Sequence, residues 1–276
     1  MGKFDGILIC SDFDGTLFSG HEISKENVEA IRYFQENGGY FTITSGRYPA
    51  FLGGYRDRVD ANTYLIGLNG TIISNYDGSF VLRQGFLHAD ACEIVKKIVR
   101  EVKGLSALSF STTEIPELVK KQCEYSEKEG YFRLYFKDWN WELFDLALSC
   151  TLHRIIFHTA EPASDAITDQ IRKIAGEGYD ISRSYTKGIE IQDVAHTKGR
   201  SARYLADYLG AHTLICVGDY ENDISMIKEA DIGCAVANAI PAVLKIADRI
   251  LPAVDQHPFA ELIASLEKEI LCRKET

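Results

Sequence analysis

Three short clusters in this sequence carry residue types that can handle a phosphoryl group and a hard cation. Asp12-Phe13-Asp14-Gly15-Thr16 follows the apolar run Ile7-Leu8-Ile9-Cys10, which reads as a buried parallel strand. Where the chain is still extended, carboxylates two residues apart share a face. Gly15 permits the turn that follows, and the Thr16 hydroxyl can bond nearby backbone to fix it. Thr44-Ser45-Gly46-Arg47 ends a second strand, Tyr40–Thr44, and offers a hydroxyl with the N–H groups of a Gly-containing turn as a cradle for phosphate oxygens. Gly218-Asp219-Tyr220-Glu221-Asn222-Asp223 follows Leu214–Val217, and clustered carboxylates there suit an oxygen-loving divalent cation. Each cluster also has a plainer reading: a capped turn, a surface arginine, an Asn222 N-cap. Lys198 opens a helix over 199–209, against the helix-dipole preference.

The elements that must position these residues repeat a strand–helix rhythm. Ser24 reads as the N-cap of a helix with Val28, Ile31 and Phe34 on one face, ending at Asn37-Gly38-Gly39. Tyr64–Leu68 is a third strand. In the last third, Ile232–Val236 is a strand, Pro241 opens a helix to about Asp248, Ile250-Leu251 is a short strand, and a helix begins near Pro258. Such units predict a parallel, doubly wound sheet, with ligands at the carboxyl ends of its strands. The middle third differs. An amphipathic helix near 89–103 precedes strand-like runs at Leu105–Ser111, Tyr131–Lys137, His153–Thr159 and Gly188–Gln192, with a helix carrying Ile167, Ile171 and Ile174 among them. This is an α+β block inserted into an α/β block, and Trp139 and Trp141 with Tyr131, Phe132, Tyr135 and Phe136 are expected mostly in its core.

With 276 residues, 46% hydrophobic and 25% charged, the chain suits two globular domains. A formal net charge of −10 argues against nucleic acid or an anionic membrane as partner. Seven cysteines without a CxxC pair fit a reducing compartment, and no apolar stretch is long enough to span a bilayer, so a cytoplasmic location is expected. The histidines form no pair with metal-ligand spacing.

Taken in order, diacid, hydroxyl, lysine and diacid, the clusters resemble the haloacid-dehalogenase-like superfamily, and within it the Cof-type phosphatases with a large cap between the second and third motifs. The resemblance covers nearly the whole chain, and Leu68-Asn69-Gly70 and Ala237-Asn238-Ala239 match further core signatures. It implies a core domain over 1–82 and 189–276, with a substrate-specificity cap over 83–188. It further implies a magnesium-dependent phosphatase acting on small phosphorylated metabolites, sugar phosphates foremost, as a monomer or weak homo-oligomer. Asp12 would be the nucleophile and form an aspartyl-phosphate, and Asp14 the general acid–base. Thr44, Ser45, Gly46, Lys198 and Asn222 would bind phosphate. Asp12, Asp219, the Asp14 backbone carbonyl and Asp223, as ligand or behind the ligands, would hold Mg2+. Ser45 stands where the Cof pattern more often has threonine, and Asp255-Gln256-His257-Pro258 replaces a D-G-V run, leaving His257 without a role. A dehalogenase is disfavoured, since carbon–halogen cleavage needs no Asp14 acid. A sugar phosphomutase and a non-catalytic phosphosugar sensor remain as alternatives.

Overall fold

The computed structural model of the protein describes residues 2–112 and 114–274. The chain begins with β1 (Ile7–Asp12), α1 (Lys25–Glu36), β2 (Tyr40–Thr44), α2 (Pro49–Leu52), β3 (Leu65–Gly67), β4 (Ile72–Ser74) and β5 (Val81–Gln84). It continues through α3 (Ala91–Glu101), β6 (Leu105–Thr112), α4 (Glu117–Gln122), β7 (Glu124–Ser126), β8 (Tyr131–Tyr135) and α5 (Trp141–Leu148). Then come β9 (Leu152–Thr159), α6 (Asp165–Ala175), β10 (Tyr179–Tyr185) and β11 (Gly188–Asp193). It closes with α7 (Lys198–Leu209), β12 (Thr213–Gly218), α8 (Ile224–Glu229), β13 (Ile232–Val236), α9 (Pro241–Leu244), β14 (Arg249–Leu251) and α10 (Pro258–Lys274).

These elements form two compact units, Met1–Leu82 with Lys198–Thr276, and Arg83–Thr197. Sequence patterning puts the second boundary at 188. Here the second unit runs on to Thr197, because β11 pairs with β9 and β10.

The first unit carries an eight-stranded sheet in the order β14-β13-β12-β1-β2-β3-β4-β5. It is parallel from β14 to β3, and only then does β4 run back against β3. Every residue of β1 is buried, as expected of a strand covered on both faces. Its register sets Asp12 opposite Thr44 and Ser11 opposite Val217, so the carboxyl ends of three strands meet at one rim. The β3 strand stops at Gly67 because Leu68 and Asn69 turn left-handed, with φ of 47° and 55°. The α9 helix ends at Leu244, short of Asp248, and gives way to turns.

The second unit is built on a six-stranded antiparallel sheet, β10-β11-β9-β6-β8-β7. Alternate residues divide its faces. Leu108, Phe110, Phe132, Ile155, Phe157, Ile189 and Ile191 join an apolar core with residues of α3, α5 and α6. Trp139 packs against that core, whereas Trp141 is 47% exposed, contrary to the expectation for it.

Candidate active site

The residues that the sequence spaces 186 positions apart meet at the rim of β1. Asp12 is the last residue of β1 and Lys198 the first of α7, and the Lys198 ammonium donates to Asp12 Oδ1 at 2.6 Å. It also donates to Asp223 Oδ1 at 2.6 Å, while Asp223 Oδ2 accepts the backbone N–H groups of Asp219 at 2.9 Å and Tyr220 at 3.0 Å. Gly199 lets α7 approach α8 this closely, since a Cβ there would lie 2.2 Å from the Ser225 carbonyl oxygen. Asp219 is held by the Thr16 hydroxyl, which donates to its Oδ1 at 2.8 Å. Thr16 thus ties two loops together rather than fixing only its own turn. Gly15, at φ +89°, leaves room for the same carboxylate; a Cβ would meet Asp219 Oδ2 at 2.7 Å.

Charge is out of balance here. Carboxylate oxygens of Asp12, Asp219 and Asp223 lie within 4.8 Å of one another, against the one ammonium of Lys198. Burial pushes the Asp12 carboxyl well above its usual range, and the Asp223 and Asp219 charges push the same way, outweighing Lys198. Burial followed by the Asp223 charge brings Asp219 up to about 7. Burial alone would strip the proton from Lys198, but Asp12 and Asp223 overcome it and hold its pKa above the ordinary value. Three hard oxygen donors carrying more negative charge than their neighbour balances suit a divalent cation, so the donor set fits the metal that haloacid dehalogenase-like hydrolases generally use.

Beside this cluster, β2 ends in Thr44 and Ser45, both buried. The Thr44 hydroxyl is buried with no hydrogen-bond partner. Ser45 Oγ accepts the Arg47 N–H at 3.1 Å across Gly46, and Ser45 O accepts the Asn69 N–H at 2.9 Å. Asn222 does not cap α8. Its Nδ2 donates to Asn69 Oδ1 at 2.9 Å, and the left-handed turn at Asn69 is one that asparagine tolerates well. Asn238 donates to the Gly15 carbonyl at 2.8 Å and accepts the Val254 N–H at 2.8 Å, pinning the loop that bears Asp14.

Asp14 stands apart from the buried cluster. Its side chain is 46% exposed, and both its oxygens accept from Arg47. The sequence motifs named Asn69, Asn238 and Arg47 without giving them partners, because long-range pairing leaves no periodic signal. His257 lies outside the site. It is left-handed with φ 58°, and its Nδ1 is 3.4 Å from Glu26 Oε2, where α10 begins beside α1.

Comparison with known proteins identifies the family. The model of the haloacid dehalogenase-like hydrolases matches residues 9–263. A phosphoglycolate phosphatase of Methanospirillum hungatei is 28% identical over 96% of this chain and 98% of its own length. The Bacillus subtilis protein YxeH, which bears a phosphatase name, is 26% identical over 94% of this chain and 97% of its own. Among solved structures, BT1666 of Bacteroides thetaiotaomicron superposes with a TM-score of 0.72 at 21% identity, covering 96% of each chain. The subclass IIB sugar phosphatase BT4131 gives 0.72 at 20% identity, covering 94% of this chain and 98% of that one. The chain belongs to the haloacid dehalogenase-like hydrolases and is a Cof-type phosphatase, a phosphoric monoester hydrolase acting on small phosphorylated substrates.

Proposed function

We propose that the protein hydrolyses phosphate monoesters of small, hydroxyl-rich metabolites, sugar phosphates foremost, through an aspartyl-phosphate on Asp12 with magnesium as its cation. The observation that carries this reading is the burial of Asp12 between the Lys198 ammonium and two further carboxylates. Magnesium held by Asp12, Asp219 and the Asp14 backbone carbonyl, with Asp223 as ligand or support, would neutralise charge between carboxylate and phosphate.

The chain's own groups do the rest. Lys198 orients Asp12 and offers its ammonium to a phosphoryl oxygen. The free Thr44 hydroxyl, Ser45, the Gly46 turn and the amide of Asn222 complete the phosphate cradle. Asp12 attacks phosphorus, the ester P–O bond breaks, and its electron pair takes the proton of the Asp14 carboxylic acid, releasing the alcohol. Asp14, now a carboxylate, accepts a proton from water as that water attacks phosphorus. The bond to Asp12 then breaks, giving inorganic phosphate and restoring the Asp12 carboxylate and the Asp14 acid.

Selectivity is assigned to the second unit, whose sheet presents Ser109, Tyr131, Arg133, Tyr135 and His158 on one face. The sugar phosphatase BT4131, of like fold, supports polyol esters as substrates. Replacing residues 83–197 by a short linker should keep cleavage of a small aryl phosphate and lose the ranking among sugar phosphates; a retained ranking would refute the assignment. Seven free cysteines support a reducing, cytoplasmic setting, and a monomer or weak homo-oligomer is expected. Among the described residues no helix is long and apolar enough to cross a membrane.

The deciding experiment is mass spectrometry of acid-quenched enzyme turning over a sugar phosphate with magnesium. A phosphoryl group on the peptide bearing Asp12, absent in Asp12→Asn, is expected. Label on a serine or histidine would refute the mechanism.

A further inference from the structure

Arg47 makes an unusually well-fixed pair for a residue at the surface. Its Nε donates to Asp14 Oδ2 at 2.7 Å and its Nη2 to Asp14 Oδ1 at 2.9 Å, the two-pronged geometry that sets a carboxylate's direction as well as its distance. The guanidinium carbon lies 4.2 Å from the centre of the Phe51 ring, so α2 supplies a flat support for it. The backbone is fixed too: Arg47 N–H donates to Ser45 Oγ at 3.1 Å, and Arg47 O accepts the Leu68 N–H at 3.0 Å. Pro49, two residues on, packs so tightly that a Cβ on Gly67 would lie 2.5 Å from its ring. With side chains 38% and 46% exposed, the ion pair contributes little to stability, about 1 kcal/mol or less. What it does do is hold Asp14 in one orientation.

We propose that Arg47 is a positioning residue for Asp14, acting as a pivot on which the acid–base carboxylate turns towards the reacting ester. The proposal rests on the reading of Asp12 and Asp14 given above. In the fork both Asp14 oxygens are engaged. Giving a proton to the ester oxygen, or taking one from water, uses one of those oxygens. Asp14 therefore exchanges one Arg47 hydrogen bond for the substrate and keeps the other as its tether. Arg47 itself gains and loses no proton. Between the two half-reactions the same tether keeps the carboxylate within reach of the incoming water. A lysine can supply one prong of such a tether but not the fork.

The test compares Arg47→Met, Arg47→Lys, Asp14→Asn and the Asp14→Asn/Arg47→Met double variant. The rate of aspartyl-phosphate formation is read in single turnovers on p-nitrophenyl phosphate and on glucose 6-phosphate. A general acid contributes about 10²–10⁴-fold where the leaving group is poor, so Arg47→Met should lower the sugar ester about 30-fold or more and the aryl ester less than about threefold. Arg47→Lys should recover part of the sugar-ester rate. The double variant should be no slower than Asp14→Asn, because Arg47 works through Asp14. Phe51→Leu, which keeps the ion pair and removes the ring face, should show a smaller loss confined to the sugar ester. Equal losses on both esters in Arg47→Met, or losses that multiply in the double variant, would overturn the proposal. If Asp14→Asn itself lowers both esters alike, the reading of Asp14 as acid fails first, whatever Arg47 does.

Discussion

In the first unit Lys198 faces the carboxylates of Asp12 and Asp223 with Asp219 beside them, whereas on the sheet of the second unit Arg133 and Arg154 each meet a glutamate. Arg154 pairs with Glu190 under nearly full burial, with Ser184 donating to the same carboxylate and Ser111 Oγ accepting from Arg154 Nε at 3.4 Å. Arg133 lies 3.5 Å from Glu124 and donates to Ser109 Oγ at 2.9 Å. Buried charge of one sign costs free energy, so an excess like that around Asp12 persists for what it does with a bound counter-charge. Balanced, hydrogen-bonded pairs instead fix the shape of a polar surface. On the function proposed above, the first arrangement would serve chemistry and the second recognition.

The contrast breaks most visibly at Asp219. Asp219→Asn should lower turnover about 10³-fold or more and abolish the rise in melting temperature expected of the parent protein with magnesium. A variant that keeps both would remove Asp219 from the metal site.

The balanced pair should respond in the opposite sense. Glu190→Gln leaves the Arg154 charge buried beside a neutral amide and should cost about 3 kcal/mol in denaturant unfolding. Replacing both partners, as Arg154→Met/Glu190→Met, should return most of that loss. Equal stabilities for the single and double variants would mean that the pair is not the source of the cost.

The imbalance also predicts a gain. Asp219 titrates at about 7 when folded against an ordinary 3.8, so the folded state binds the extra proton between those values. The contribution of Asp219 to the stability of the metal-free protein is therefore present below pH 3.8 and lost as pH rises through 7. Asp219→Asn should flatten that slope and stabilise the metal-free protein above pH 7 by about 1 kcal/mol, at the expense of activity. An unchanged slope, measured by chemical denaturation in chelator, would argue against an Asp219 carboxyl raised by burial first and the Asp223 charge second.

The sequence exposed the first unit far better than the second. Asp12, Ser45, Lys198 and Asp219 each stand where an apolar strand ends or a helix begins, and that punctuation survives in the one-dimensional pattern. Arg47 was visible only as a surface arginine, since nothing local to residue 47 points to residue 14. Asn69 and Asn222, or Asn238 and Gly15, pair across similar distances in the chain. In the second unit, β10 went unread because only Tyr179 and Ile181 supply its apolar side, and α5 because it has eight residues. Trp141 was misplaced because an aromatic at the start of a short helix can lie along the surface.

The smallest predicted effect concerns His158, on the polar face of the second unit's sheet. Ser109 Oγ accepts from Arg133 Nε at 2.9 Å and lies 2.7 Å from His158 Nε2. The Nδ1 atom of the same ring pairs with the Tyr185 hydroxyl. A second proton on the ring would add charge beside Arg133, with Glu124 offsetting only part. Burial first, and the Arg133 charge second, bring the His158 pKa down to about 4 from 6.5. A folded pKa below the unfolded one means that the unfolded state binds the extra proton between those two values. The stability held by neutral His158 is thus present above pH 6.5 and lost as pH falls towards 4. Because the ring is only partly buried, the full shift overstates the effect, and about 1 kcal/mol is the expected size. His158→Gln, which cannot titrate, should lose less stability than the parent between pH 6.5 and 4 and match its slope above that window. Subtracting the two curves removes the carboxylate titrations they share. If the difference is flat across the window, His158 is not held neutral by this network, and the second unit's polar face is less tightly specified than its hydrogen bonds imply.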